Sequence, residues 1–436
     1  MRACVLLLPL LRLCGAEEPE AGWNDPDIVL DGEPKKWRHV GNAYKSGKPP
    51  APKTDSWKKP DTRITVLIAA LRESRLTNTL HDLLTKADNP SRVFFGVVQQ
   101  NTEGDEDCMV GLCKKLGTPI TLLPGSTVKE PKFAGTAACK HFDQVRVVRM
   151  TTREAKGPVF ARSRQPEALR DGDDFCMQID AHTDGVQGWD TKMLAEWGHT
   201  ENEYAVITSY PTNVHDMGKN TNKHWEMPHL CGGAIVGPGL ISNSQASAAA
   251  GLTRPLLTPL WAAGLSFMKC HAERNVPNDP ELKGIFSGEE YGRGARLWTH
   301  GYDFYSTTRP YIGVWYMDEK QEAGSHMGAS WDTSSAEAAA ATARLTTLLQ
   351  WPGTDHSPAA LAKLGKWGLG KRRSLEQYAK FSGIDTIHAT THMGVCRMQY
   401  VPWASGAKHT IYSEYKAGKV ADGGINLAGV SLKHEM

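Results

Sequence analysis

"RITVLIAALRESRLTNTLHDLLTKADNPSRVFFGVVQQ", residues 63–100, decides the fold. Ile64 to Ala70 is a nearly continuous apolar run, the pattern of a strand covered on both faces. Leu76, Leu80, Leu83 and Leu84 then recur at helical spacing. "RVFFGVVQQ" is a second buried strand. A strand, a helix and a strand of this length predict a β-α-β unit, hence a parallel sheet with a right-handed crossover. Further strands are expected at Ile120–Leu123, Gln144–Met150, Phe175–Asp180 and Tyr204–Ser209, and a helix over "ARSRQPEALR". The fold class is α/β.

The chain has 436 residues, enough for a substantial core and two or three domains. Its 40% hydrophobic and 22% charged residues are ordinary for a globular protein, and a net charge of +2 gives no reason to expect nucleic-acid binding. No apolar run reaches the roughly 20 residues of a membrane span. Residues 1–16, with Arg2, an apolar stretch to Leu11 and the small pair Gly15-Ala16, read as a secretory signal peptide. A transit peptide or a mis-assigned start is the alternative, so the compartment is either the secretory pathway (Golgi or ER lumen) or the cytoplasm. Residues 17–61 are rich in Pro, Lys, Asp and Gly and read as a disordered linker or stem. The catalytic domain is expected over 62–325 and a helical extension with a tail over 326–436. Within the latter, "SSAEAAAATARLTTLLQW" is a strong helix capped by Ser334 or Ser335. Nine scattered cysteines fit a globular enzyme with free thiols or a few disulfides better than a cysteine-framed scaffold.

Chemistry concentrates in "FCMQIDAHTDGVQGWD", residues 175–190. A strand ends here in Asp180, Ala181 and His182, and α/β sheets bind ligands beyond the carboxyl ends of their strands. Residues i and i+2 of extended backbone point the same way, so a carboxylate and an imidazole can share a divalent cation. Such an ion could bridge the diphosphate of a nucleotide sugar. The competing reading is an Asp capping a turn beside a surface His.

An ordered set of landmarks raises the specificity. It comprises Arg72-Glu73, "GPVFARS" with Arg162, "MQIDAHTDGVQGWD", "SYP" at 209–211 and "CGGAIV" at 231–236. It continues with "NDPELKGIFSGEEYGRGARLWTHGYDFY" at 278–305 and "GLGKRRSLEQYAKFSGID" at 368–385. In these stretches the chain resembles the glycosyltransferases that add α-linked N-acetylglucosamine to protein hydroxyls, among them hydroxyproline-modifying enzymes. The resemblance implies a GT-A fold, a UDP-GlcNAc donor, a divalent metal (usually manganese), retention at the anomeric carbon, and a protein acceptor bearing Ser, Thr or hydroxyproline.

It also implies roles. Arg72, Arg162, Asp180, Trp298 and Asp303 are donor-binding candidates, and Glu289, Glu290 and Asp190 are catalytic candidates. Each has a plain alternative: a surface ion pair for Arg72, a helix N-terminus favouring acids for Glu289 and Glu290, core packing for Trp298. Trp298, His300, Tyr302 and Asp303 form an aromatic–polar cluster suited to a sugar face. Lys371-Arg372-Arg373 could meet the acceptor or a membrane surface, or simply start a solvated helix. One departure stands out. The family's usual third metal ligand, a His, aligns with Val314, which cannot ligate. The metal would then rest on Asp180 and His182, with phosphate oxygens and water or with His300 as substitute. A catalytically weak homologue that binds UDP-sugar or glycoprotein is the alternative function, and a metal hydrolase on the same D-x-H a third.

Overall fold

The computed structural model describes residues 51–217, 226–244, 247–250, 255–316, 331–391 and 431–434. The leader at 1–16, most of the linker, and nearly all of the tail lie outside the described residues.

The β-α-β unit forms as its sequence requires. Strand β1 (Ile64–Leu71) is buried along almost its whole length, and helix α1 (Leu76–Lys86) buries Leu76, Leu80, Leu83 and Leu84. Strand β2 (Val93–Asn101) pairs with β1 in parallel. Helix α2 (Cys108–Lys115) follows, then strand β3 (Val145–Thr151), short helix α3 (Pro158–Ser163), strand β4 (Phe175–Asp180) and helix α4 (Trp189–His199). Strands β5 (Ala205–Thr208), β6 (Leu256–Thr258), β7 (Leu265–Lys269) and β8 (Asp303–Ser306) complete an eight-stranded sheet of order β6-β8-β5-β7-β4-β1-β2-β3. Helix α5 (Glu289–Thr299) precedes β8.

Strands β1 to β4 run parallel to one another, whereas β7 is antiparallel between β4 and β5. The chain builds outward from β1 through β2 to β3 and then returns to the other side of β1 to lay down β4. The strand order therefore reverses between β1 and β4. That reversal opens a crevice at their carboxyl ends, the usual place for a ligand in such a sheet. The α/β class expected from the sequence is the class observed.

Several expectations need correction. Residues 120–123 contribute only Thr121–Leu122, which are exposed and pair with Phe133–Ala134 outside the large sheet. "ARSRQPEALR" is no single helix: α3 starts earlier, at Pro158, and a 3-10 turn covers Gln165–Ala168. The linker does not extend to 61. Lys53 N–H donates to Glu203 at 2.8 Å, and Lys269 Nζ donates to Ser56 Oγ at 2.7 Å, so the chain is docked from about residue 53.

The C-terminal helices are not a separate unit either. Helix α6 (Ser335–Leu348), capped by Ser334 with Glu337 in a capping box, buries Ala341 and Leu345 in the main core. Helix α7 (Leu375–Ser382) lays Tyr378 against Tyr291 and Trp298, and Phe381 against Trp298. Here lies the fate of the aromatic–polar cluster. Trp298 is fully buried, and the Asp303 carboxylate pairs with Arg373 at 2.7 Å and accepts from Asn202. Tyr302 Oη meets His271, and His300 Nδ1 lies 2.7 Å from the Arg296 carbonyl one turn earlier. Trp298 and Asp303 thus tie the C-terminal segment to the rest of the fold. Arg373 of the basic triplet is buried in that work, and Arg372 lies over the Tyr204 ring.

Two disulfides among the described residues reinforce this frame: Cys113–Cys139 ties α2 to the following loop, and Cys176–Cys270 joins β4 to the end of β7. The latter spans 94 residues, and closing so long a loop removes roughly 4–5 kcal/mol of unfolded-chain entropy in the chain-entropy account.

Asp190, in the first turn of α4, is wholly buried. Its carboxylate accepts from the backbone N–H groups of Asp88 and Asn89 and from Arg92 Nε at 2.8 Å. It joins α4 to the turn leading into β2 and is a fold residue. Asp190→Ala would strand the buried Arg92 guanidinium, and removing one partner of such a pair costs about 3–5 kcal/mol. Urea denaturation of the variant should read a loss of that size; a loss under about 1 kcal/mol, the range of an exposed pair, would contradict the assignment.

Candidate active site

A cavity of about 670 Å³ opens at the β1/β4 reversal. Its floor is the end of β1 and the turn after β4, and its far wall is the start of α5. Each position is fixed by local hydrogen bonding. After Asp180 the chain turns, and three carbonyls and one amide of the turn are bonded. Thr183 Oγ1 donates to the Asp180 carbonyl, Thr79 Oγ1 to the Ala181 carbonyl, and Trp315 N–H to the His182 carbonyl. Thr79 Oγ1 in turn accepts from Thr183 N–H. The segment Thr183–Gly185 then pairs antiparallel with Ile312–Val314. On the opposite wall, Gly288 (φ 93°) makes the left-handed turn that starts α5, and a Cβ there would lie 2.9 Å from Leu345.

The charged core of the cavity is Arg162. Its Nη1 meets Glu289 Oε1 at 2.5 Å and its Nη2 meets Asp180 Oδ1 at 3.0 Å. Burial opposes the guanidinium charge, but the carboxylates of Glu289 and Asp180 more than offset it and hold the pKa above its ordinary value. Glu290 accepts from Tyr210 Oη at 2.6 Å and from Ala263 N–H at 2.9 Å. Its burial outweighs these bonds and, aided by the neighbouring Glu289 charge, moves its pKa up to about 7. Burial and the Glu290 charge push the Tyr210 phenol upward, so it remains a donor.

His182 Nδ1 lies 3.3 Å from Glu73 Oε2. Burial works against its protonation, yet the Glu73 bond and the charges of Asp180 and Glu73 raise its pKa overall.

The structure therefore brings together Asp180, His182, Arg162, Glu289 and Glu290, all lining one cavity. It does not bring the others there. Arg72 takes a left-handed conformation at the end of β1 (φ 48°) and pairs with Asp105 at 2.9 Å, outside the lining. The acid after it, Glu73, lines the cavity instead. Asp190, Trp298 and Asp303 belong to the packing described above. His300 is engaged one turn back on its own helix and is not among the lining residues, so it is no substitute ligand for a metal at Asp180 and His182. Val314, which the sequence aligns with the family's third ligand, is buried, paired with Thr183, and lines the cavity with an apolar side chain.

Sequence reasoning missed Tyr210, which sat in the quoted "SYP" without an assigned role, and Gly264. A Cβ on Gly264 would come within 3.3 Å of Asp180 Oδ2, so the missing side chain keeps that oxygen accessible. A glycine in "AAGLS" carries no signal for this. Phe286 and Tyr316, at the mouth, are 64% and 48% exposed and had not been singled out.

The donor set can be tested against a cation and an anion. Asp180 offers a second carboxylate oxygen and His182 an imidazole nitrogen, both donor types that manganese accepts. No group of three or more His, Cys, Asp or Glu is arranged to hold a metal among the described residues. A cation held by these two donors would have to complete its shell with ligand oxygens and water. Two buried donors at the cavity, Arg162 Nε and Trp315 Nε1, have no hydrogen-bond partner among the described residues. Unanswered donors beside a fixed positive charge fit an anionic ligand.

A model of the glycosyltransferases described as "Glycosyltransferase (GlcNAc)" matches residues 63–388. The chain belongs to the Glycosyltransferase (GlcNAc) family. It is a glycosyltransferase, and the cavity lies within the matched span. No curated protein sequence matches the chain. Among solved structures it is similar to GalNAc-T7 with UDP, GalNAc and Mn2+, at 13% identity over 82% of this chain and 72% of that one, with TM-score 0.44. It is also similar to S. aureus TarS in complex with UDP-GlcNAc, at 10% identity over 74% of each chain, TM-score 0.38. A third is the mannosyltransferase PcManGT from Pyrobaculum calidifontis with GDP-Man and Mn2+, at 11% identity over 58% and 63%, TM-score 0.31.

Glu290 gives the site a measurable pH signature. Between its ordinary value of 4.5 and about 7, the folded protein retains a proton that the unfolded chain has released. Stability from this group therefore falls as pH rises through that window, by at most about 1.4 kcal/mol per pH unit. Glu290→Gln, which cannot titrate, should flatten the slope in urea melts between pH 5 and pH 7 relative to the parent (roughly the window above). An unchanged slope would refute the raised pKa.

Proposed function

We propose that this glycosyltransferase moves N-acetylglucosamine from UDP-GlcNAc to a polypeptide hydroxyl, on Ser, Thr or hydroxyproline, with retention, and that it uses a divalent metal, manganese, at Asp180 and His182. The observation that carries the reading is the pairing of this Asp and His with a buried, charge-held Arg162 in one cavity at the β1/β4 reversal.

Each residue has a physical task. Asp180 and His182 would hold the metal, which when bound supplies charge to the diphosphate and its leaving oxygen. Arg162 keeps its charge at every working pH and sits beside the same region, so it orients and neutralises phosphate. Glu289, held by Arg162, presents a fixed carboxylate near where positive charge would grow at the anomeric carbon. Glu290 and Tyr210 form a pair that can position a sugar or acceptor hydroxyl, since one can donate and the other accept. The exposed Phe286 and Tyr316 at the mouth offer apolar faces suited to an acceptor segment. The disulfides support action in an oxidising compartment of the secretory pathway, in line with the leader.

The decisive experiment incubates the protein with UDP-GlcNAc, with and without manganese, and follows UDP release together with the mass of Ser-, Thr- and hydroxyproline-containing peptides. Manganese-dependent UDP release and a gain of one N-acetylhexosamine are expected. Asp180→Ala and His182→Ala should each lower the rate by at least about 100-fold, in the range of losing a transition-state charge contact. Binding of UDP-GlcNAc without turnover would instead favour the binding-module alternative, and phosphate release with no preference for uridine would favour a hydrolase. Val314→His should tighten manganese, because an imidazole joins two placed donors as a third; unchanged affinity would show that ligand oxygens already fill that position.

A further inference from the structure

Three carbonyls and one amide from Asp180 to Thr183 are bonded, so the backbone is held and the tautomer of the His182 ring is left for a side chain to set. A neutral imidazole has one N–H and one lone pair, and only the lone pair can ligate. Whichever group holds the N–H therefore decides which nitrogen serves the metal.

Glu73 is the group in place to do this. Its Oε2 lies 3.3 Å from His182 Nδ1, and its Oε1 accepts from Arg75 N–H at 2.9 Å, so the carboxylate is held at both oxygens. The loop that carries it is itself fixed. The Arg75 guanidinium stacks 3.7 Å over the Trp315 ring, and Trp315 N–H donates to the His182 carbonyl. The side chain of Glu73 is only 9% exposed, so the contact is shielded from water. With Val314 contributing no donor, the chain has fewer means of fixing the ion, and the placement of the His182 lone pair matters more.

We infer that Glu73 is a positioning residue of the cation site, accepting the Nδ1 proton of His182 and so leaving Nε2 as the ligating nitrogen. The inference rests on the reading of Asp180 and His182 as the metal pair. A carboxylate behind a ligating His is a general device that fixes the tautomer and raises ligand basicity, and its loss typically weakens metal by about 10–100-fold.

The test titrates manganese into the full chain, wild type, Glu73→Ala and Glu73→Gln, by the electron paramagnetic resonance of the free ion, with and without UDP. Thermal melts check that each variant folds. Glu73→Ala should weaken manganese by about 10–100-fold, while Glu73→Gln, whose amide oxygen still accepts from Nδ1–H, should stay within a few-fold of wild type. At a pH where the ring is neutral, the ring nitrogen shifts of His182 in the metal-free protein should report Nδ1–H in wild type and a mixture of tautomers in Glu73→Ala. Wild-type affinity in Glu73→Ala would overturn the inference. Equal, severe loss in both variants would overturn it too, because the carboxylate would then be coordinating the ion itself. No manganese binding by wild type would overturn the metal reading and this inference with it. Should Glu73→Ala fail to fold, Glu73→Gln and the wild-type tautomer decide: Nε2–H in wild type sinks the proposal.

Discussion

A guanidinium held between two carboxylates organises the cavity. Arg162 cannot shed its charge, and a buried charge is tolerated only where opposite charge and hydrogen bonds answer it. Asp180, at the end of β4, and Glu289, at the start of α5, supply that answer from opposite walls. The parallel half of the sheet and the C-terminal helical half are thereby joined across the crevice they enclose. The same contact orients both acids, since each has one oxygen committed to Arg162. The guanidinium is left with an unanswered Nε–H, so the arrangement is complete for the protein yet open to an anion.

The metal half of the cavity is built differently. There the backbone is the rigid part: three carbonyls and one amide from Asp180 to Thr183 are all bonded, to Thr79, Thr183 and Trp315. A turn so fully determined can afford two side chains chosen for chemistry instead of packing. The absence of a side chain at Gly264 belongs to the same design, because it leaves the second oxygen of Asp180 unobstructed.

Much of this was legible in the sequence, and the rest failed for physical reasons. Strands β1, β2 and β4 could be read because their residues are buried on both faces and so are apolar in unbroken runs. Strands β6 and β8 are three and four residues long, too short for a period to show. Asp180 and His182 stood out as polar residues ending an apolar strand, whereas Arg162, Glu289 and Glu290 were singled out by the family resemblance; all five line one cavity. Trp298, Asp303 and Asp190 were drawn in by the resemblance as well, and the structure buries them in packing outside the cavity lining. Asp303 and Asp190 each neutralise a buried arginine, a structural task that looks identical to a functional one in a sequence. Arg72 pairs with Asp105 outside the lining while Glu73 lines the cavity, and the chain turns left-handed at Arg72, a backbone choice that no side-chain pattern announces. Val314 lines the cavity with an apolar side chain, and the His300 ring is engaged within its own helix.

The central claim is that a nucleotide diphosphate binds at the β1/β4 reversal against Asp180, His182 and Arg162. A crystal structure of the protein grown with UDP and manganese tests it most directly. The account predicts the diphosphate within hydrogen-bond distance of Arg162, and the ion between its oxygens, Asp180 and His182 Nε2. A diphosphate bound elsewhere on the molecule, or lying in this cavity with Asp180 and Arg162 still paired only to each other and to Glu289, would contradict it.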